Sequence, residues 1–317
     1  MYISRRKFLA GTAGAVAALR TNGQFFARSN MTQTTIGGGA LSATVSSKGK
    51  FGWCGLNGLN HEDRPISWLL APALTLEHYL GIPSESPEHI QYEPCESPKY
   101  LDDIIENGCT LHYSPLPCSE IACSISYRMK SPHYIDVRVR VQTKRESWPL
   151  GYLALFFATI VDAPVYTGVT INGFDDQAEL TRENPWVFFN GYGRDLGRTA
   201  HPADVNQPEL ERHESDRDGY YYDDSSIRFD RPLFFGTIDG MVFSLMFPSK
   251  DRENVRFTVN PLAEAFGGPA WDFFWVIPDP VPGQTWELPL RVIWKPFQSR
   301  DDMLREYQVY DSDRTQE

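Results

Sequence analysis

Two polar, aromatic-rich stretches and one acidic residue late in the chain hold the side chains best equipped for chemistry. The longer stretch, residues 172–224, carries Trp186, Phe188, Tyr192 and Tyr220-Tyr221-Tyr222 beside Arg194, Asp195, Arg198, His201, Asp204 and Asp218. Flat apolar rings beside carboxylates, guanidinium groups and an imidazole suit a pyranose: rings take its C–H face and polar groups its hydroxyls. The shorter stretch, Asn60-His61-Glu62-Asp63-Arg64-Pro65, follows Gly55-Leu56-Asn57-Gly58-Leu59. It offers a general acid in His61 or Glu62, although an ordinary solvated turn has the same composition. The late acid is Asp272, set in the apolar run Trp271-Asp272-Phe273-Phe274-Trp275.

Three reactions fit these groups. Hydrolysis of a glycosidic bond needs one protonated and one ionised carboxyl, for which Asp272 pairs with Glu62, Asp204 or Glu264. Elimination from a uronate needs a base and a group that neutralises the carboxylate, a role open to Tyr192, Arg194 and His201. Epimerisation needs an acid and a base at the anomeric centre, Asp272 with a histidine. The expected catalytic set is therefore Asp272, His201, Tyr192 and Glu62. The expected substrate contacts are Arg194, His61, Arg64, Trp186, Tyr220, Tyr222, Asp204 and Trp271. A glycan-binding or structural domain without catalysis would use the same rings. His112 and His133 flank strands and read as structural, while His78 and His89 sit in loop-like surroundings.

No cofactor motif is present. Asp216-Arg217-Asp218-Gly219 with Asp223-Asp224 lacks the third ligand position and closing Glu of an EF-hand, but a looser calcium site of carboxylates and loop carbonyls remains open to this composition. No zinc-like Cys or His spacing occurs, so no metal ligands are assigned.

These side chains must be held by strands. Ile121, Cys123, Ile125 and Tyr127 alternate with small or polar residues, as do Ile135, Val137, Val139 and Val141, which predicts half-buried antiparallel strands. Tyr152 to Val161 is apolar on both faces and predicts an interior strand. Further strands are expected at 233–237 and 241–247, turning at Asp239-Gly240, and at 255–259, 271–277 and 286–294. Ser299-Arg300-Asp301-Asp302 caps a short helix with Met303, Leu304 and Tyr307 inward. High aromatic, Gly and Pro content fits an all-β chain.

At the other end, Ser4-Arg5-Arg6-Lys7-Phe8-Leu9 and the apolar run Leu9 to Leu19 read as a twin-arginine export signal. The run is too short to span a bilayer, and no Cys follows it, so no stable membrane anchor is expected. Residues 1–30 read as signal and leader, 31–40 as a flexible segment and 41–317 as one domain, in a periplasmic or secreted setting. The net charge of -11 argues against a nucleic-acid partner. Five cysteines, Cys54, Cys95, Cys109, Cys118 and Cys123, permit two disulfides at most; Cys123 falls in a core register. Oligomeric state is not readable.

The C-terminal third, from Gly267-Gly268-Pro269-Ala270-Trp271-Asp272-Phe273-Phe274 through Pro282-Gly283-Gln284-Thr285-Trp286 to Trp294-Lys295-Pro296-Phe297, resembles the end of a galactose mutarotase-like domain. The resemblance is one of architecture over most of residues 41–310. It implies a large antiparallel β-supersandwich of the kind shared by aldose epimerases, several lyases and glycoside hydrolases, with a carbohydrate ligand. It also implies that Asp272 stands where that family usually has a catalytic Glu. The family's paired histidines have no counterpart in matching context.

Overall fold

The computed structural model describes residues 31–315 apart from 49–52, 65–68, 70–71, 82–90, 93–98, 105–106, 116–118, 149, 165–166, 178–183, 194–196, 204–222 and 261–267. Three strands, β1 (Gln33–Gly38), β2 (Leu41–Ser46) and β3 (Gly55–His61), form a small antiparallel sheet. The next strands are β4 (Thr75–Leu80), β5 (Gln91–Tyr92), β6 (Lys99–Ile104), β7 (Gly108–Tyr113), β8 (Ile121–Lys130), β9 (Tyr134–Thr143) and β10 (Tyr152–Ala158). After these come β11 (Val169–Asp175), β12 (Trp186–Phe189), β13 (Arg198–Pro202), β14 (Asp223–Ile238), β15 (Met241–Met246), β16 (Val255–Asn260), β17 (Ala270–Pro278) and β18 (Thr285–Pro296), then helix α1 (Arg300–Thr315). The fifteen strands from β4 onward make one sheet, ordered β5-β4-β10-β17-β16-β13-β14-β15-β18-β9-β8-β7-β6, with β11 joined to β14 and β12 to β11. Among the described residues, only β13 and β14 run parallel.

The sheet folds over so that its two halves face each other, giving an all-β antiparallel sandwich with one short C-terminal helix. Strict alternation drives this. Ile121, Cys123, Ile125 and Tyr127 of β8 and Ile135, Val137, Val139 and Val141 of β9 point into a single core that also takes Leu76 and Tyr79 of β4 and Phe273 and Trp275 of β17. Tyr79 and Cys123 share that core, and burial raises the Cys123 thiol. Cys54 and Cys109 are buried in the same core; Cys95 and Cys118 lie outside the described residues. Strand β10 is buried on both faces, as its sequence predicts: Phe157 stacks on Phe273 at 4.8 Å inside, while Phe156 meets Phe274 at 4.8 Å outside.

Residues 31–40 correct the expectation of a flexible segment. β1 pairs with β2 along its whole length and buries Ile36. Gly39, at φ +62, turns the chain where a Cβ would lie 2.6 Å from the Pro132 carbonyl oxygen, so the glycine run is a packed hairpin and not a leader. The Asp239-Gly240 hairpin joins β14 and β15 as read, with both residues at positive φ. The Asp302 N–H donates to Ser299 Oγ at 3.1 Å, capping α1, and Met303 and Tyr307 point inward with Tyr310; Leu304 is half-buried. The helix is pinned over β18 by Lys295, 2.7 Å from Asp302 and bonded to Glu306, and by Tyr134, which donates to Glu306 at 2.8 Å. Residues 1–30, with the proposed export signal, lie outside the described residues.

Candidate functional site

Alternation on β17 sends Trp271, Phe273, Trp275 and Ile277 into the main core, leaving Asp272, Phe274 and Val276 on the opposite face. The neighbouring strands add polar groups to that face. On β16, Thr258 stands opposite Asp272 and Arg256 opposite Phe274; on β13, Thr199 stands opposite Thr258, with His201 two residues on. On the other side, β10 pairs with β4 through a bulge: Phe156 faces His78, but Phe157 faces Leu76. Glu77 is the extra residue. Leu76 and Tyr79 both reach the core, so Glu77 and His78 turn outward together, His78 stacking on Phe156 at 5.5 Å. The result is a patch of Glu77, His78, Asp272, Thr258, Arg256, Thr199 and His201 over a floor of Phe156 and Phe274.

Its electrostatics are those of a site removed from water. Asp272 is 1% exposed; Oδ1 accepts the Thr159 N–H at 3.1 Å, and Oδ2 meets no hydrogen-bond partner among the described residues. Burial pushes this carboxyl well above the usual range, Glu77 adds to the rise, and the Thr159 bond opposes it. Burial thus biases Asp272 toward its protonated form and leaves Oδ2 as the oxygen without a partner among the described residues. His78, whose Nε2 is 3.9 Å from Glu77 Oε1, is lowered by burial to about 4, and its Nδ1 has no partner among the described residues. His201 is lowered to about 3 by burial and by the guanidinium groups of Arg256 and Arg228, and its Nε2 lies 2.7 Å from Thr199 Oγ1. A neutral carboxylic acid, two neutral imidazoles, a fully buried arginine and a part-exposed glutamate therefore share one sheet face.

No protein-family model and no curated protein matches the chain. Solved structures do resemble it. A candidate aldose 1-epimerase from Escherichia coli K12 aligns over 84% of this chain and 100% of its own, at 10% identity and a TM-score of 0.48. A galactose mutarotase-like protein from Lactobacillus casei aligns over 83% of this chain and 100% of its own, at 11% identity and a TM-score of 0.44. An alpha-N-acetylgalactosaminidase from Bifidobacterium bifidum, solved with GalNAc, aligns over 91% of this chain and 39% of its own, at 12% identity and a TM-score of 0.45.

Of the residues expected from sequence that are described, only Asp272 and His201 fall on this face. Glu62 is exposed in the turn after β3, whose strand belongs to the three-stranded sheet and not to the sheet that carries Asp272. His61 and Arg64 stay there with it. His61 is buried, its Nδ1 accepting the Asp63 N–H at 3.2 Å, and burial lowers it against the pull of Asp63 and Glu62. Arg64 donates to the Asp239 carbonyl at 2.7 Å. Trp271 is corrected from a sugar contact to a core residue: it is 0% exposed, and its indole fills the space over Gly236. Trp186 packs edge-on against Phe235 at 5.6 Å, in the cluster beneath α1. Tyr192 is half-buried after β12, its N–H donating to Asn190 Oδ1 at 3.1 Å. Arg194, Asp204, Glu264, Tyr220 and Tyr222 lie outside the described residues, as does the acidic run 216–218. Among the described residues, no group of three or more His, Cys, Asp or Glu could hold a metal ion, and no helix is long and apolar enough to cross a membrane.

Glu77, His78 and Arg256 were missed. His78 is a strand residue, where loop-like surroundings had been expected, and the bulge that exposes it leaves no mark on local periodicity. Arg256 sits in Val255-Arg256-Phe257-Thr258-Val259, which reads as a strand with one solvated face; that face is buried.

Proposed function

We propose that the protein is an exported carbohydrate-active enzyme in which Asp272 acts as general acid toward a sugar oxygen at the outer face of β4, β10, β17, β16 and β13. The carrying observation is the buried Asp272 carboxyl, one oxygen fixed by Thr159 and the other unengaged among the described residues, in surroundings that raise it well above the usual range. A proton held on a fixed, desolvated oxygen is ready for transfer to a glycosidic or ring oxygen. Glu77, the nearest acidic influence on Asp272, is the complementary carboxylate, and environments that drive two carboxyls apart separate acid from base. Arg256 and the neutral His201 offer hydrogen bonds to hydroxyls. Elimination is disfavoured, because an imidazole lowered to about 3 is a weak base for a carbon acid.

Asp272→Asn keeps the oxygen that accepts from Thr159 and removes the proton. Incubated with a panel of glycans and free aldoses, the wild type should release reducing ends or accelerate anomer interconversion without forming unsaturated uronates. The variant should lose about 10²-fold or more in turnover with its circular dichroism unchanged. A variant as active as wild type, or a wild type whose main product is an unsaturated uronate, refutes the assignment.

A further inference from the structure

The outer face of β8 and β9 lies on the far side of the core from Asp272 and is strongly basic in a chain of net charge -11. A groove of about 700 Å³ is lined by Arg128, Lys130 and Ser126 of β8, Arg138 of β9 and Arg314 of α1. Its one acid, Asp136, is already engaged by Arg291 at 2.7 and 3.1 Å and by Arg314 at 3.3 Å. Arg138 and Arg140 share a single carboxylate, Glu287, and among the described residues Arg128 has no carboxylate in ion-pair range. Lys130 reaches Asp313 only at 3.6 Å, both side chains about half exposed. The charge left over is positive and accessible.

Next to it, a second groove of about 470 Å³ takes in Ser124, Arg140, Gln142, Thr285 and the ring pair Tyr100–His112, stacked at 4.5 Å and 7°. Arg138 and Arg140 sit two residues apart on one face of β9, so the grooves form one strip along the strands. From Arg128 to Ala122 the strip runs about 20 Å, several sugar rings in length.

We infer that this strip binds an extended anionic glycan, carboxylated or sulfated, whose acidic groups are taken by Arg128, Arg138 and Arg140 and one of whose rings lies against Tyr100–His112. Guanidinium forks match carboxylate and sulfate geometry, the serine and glutamine side chains suit hydroxyls, and a ring platform suits a pyranose. A lipid surface fits less well: of the exposed large apolar residues among those described, Phe188, Val281 and Val309, none lines either groove. The inference deepens the carbohydrate reading above and rests on it, by naming an acidic polymer as the docked chain.

The test uses the full chain with polygalacturonate, dextran sulfate, neutral dextran and phosphatidylglycerol vesicles, each titrated at low and high salt. Either or both acidic glycans should bind and release at high salt, and neutral dextran should not bind; the tighter of the two identifies the acidic group. Arg128→Ala with Arg138→Ala should weaken acidic-glycan binding about tenfold or more. The same pair should leave turnover on a short neutral substrate unchanged, whereas Asp272→Asn should keep the polymer bound and abolish turnover, which separates failure of the strip from failure of the catalytic assignment. Binding of neither acidic glycan, equal binding by the double variant, or vesicles binding as tightly as the glycans overturns the inference.

Discussion

Replacing Asp272 by Asn isolates the cost of ionising a carboxyl that the sheet has sealed from water. In the native state its ionisation lies well above the ordinary value of 3.8, mainly through burial and further through Glu77. Once unfolded, the side chain ionises normally. Between 3.8 and the raised native value, the folded protein therefore holds a proton that the unfolded chain has released. The stabilisation linked to this proton is fully present below 3.8, declines as pH rises, and is gone above the native value. Across that window, stability falls by about 1.4 kcal/mol per pH unit. Asn retains the acceptor for the Thr159 N–H, and its amide nitrogen takes the place of the protonated oxygen, so the buried hydrogen-bond deficit is similar in both proteins. Urea unfolding at several pH values then gives a wild-type minus variant difference that shifts by about 2 kcal/mol over one and a half pH units, the wild type losing ground as pH rises. Titrating groups not coupled to Asp272 cancel in the difference. A difference that stays flat across the range would show that Asp272 is ionised in the folded protein and would remove the proton donor on which the mechanism depends.

Glu306 should show the opposite sign. Burial alone would raise its carboxyl, but the His133 imidazole 3.5 Å away and hydrogen bonds from Lys295 and Tyr134 bring it down to about 2. Its contribution is therefore present above the unfolded value of 4.5 and lost as pH falls toward 2, so Glu306→Gln should cost about 3 kcal/mol at neutral pH and flatten acid unfolding; equal stability at neutral pH would refute the anchoring of α1. Gly236→Ala would put a Cβ 2.1 Å from the Trp271 ring, which is 0% exposed, and should destabilise by about 1–3 kcal/mol in thermal unfolding with a change in indole fluorescence. An unshifted melting temperature would mean that the core yields more readily than its packing implies.

Much of the fold was legible because the signals are local. Period-two alternation on β8, β9 and β18, the doubly apolar β10, the Asp239-Gly240 turn and the Ser299 cap all act within a few residues, and each appears where the chain predicts it. The exception at 31–40 is instructive. Gly37-Gly38-Gly39 has the composition of a flexible leader, yet glycine is also what a turn at φ +62 against Pro132 requires, and only that distant contact distinguishes the two.

The candidate site was far less legible, because it is assembled across strands. Asp272 was visible alone, as a lone acid in an apolar strand. Its companions depend on which strands become neighbours: β4, β10, β17, β16 and β13 are adjacent in the sheet but scattered along the chain, and their order follows from closing the sandwich. Within β4, simple alternation would put Glu77 and His78 on opposite faces. The bulge opposite Phe156 and Phe157 turns both outward while Leu76 and Tyr79 stay in the core. A single inserted residue thus converts one polar side chain into two on the face of Asp272, and its cause is the pairing partner, not the β4 sequence. The same dependence explains Arg256: a strand of alternating Val, Arg, Phe, Thr and Val reads as facing water, and only its place between β17 and β13 makes that polar face a buried one able to hold His201 neutral.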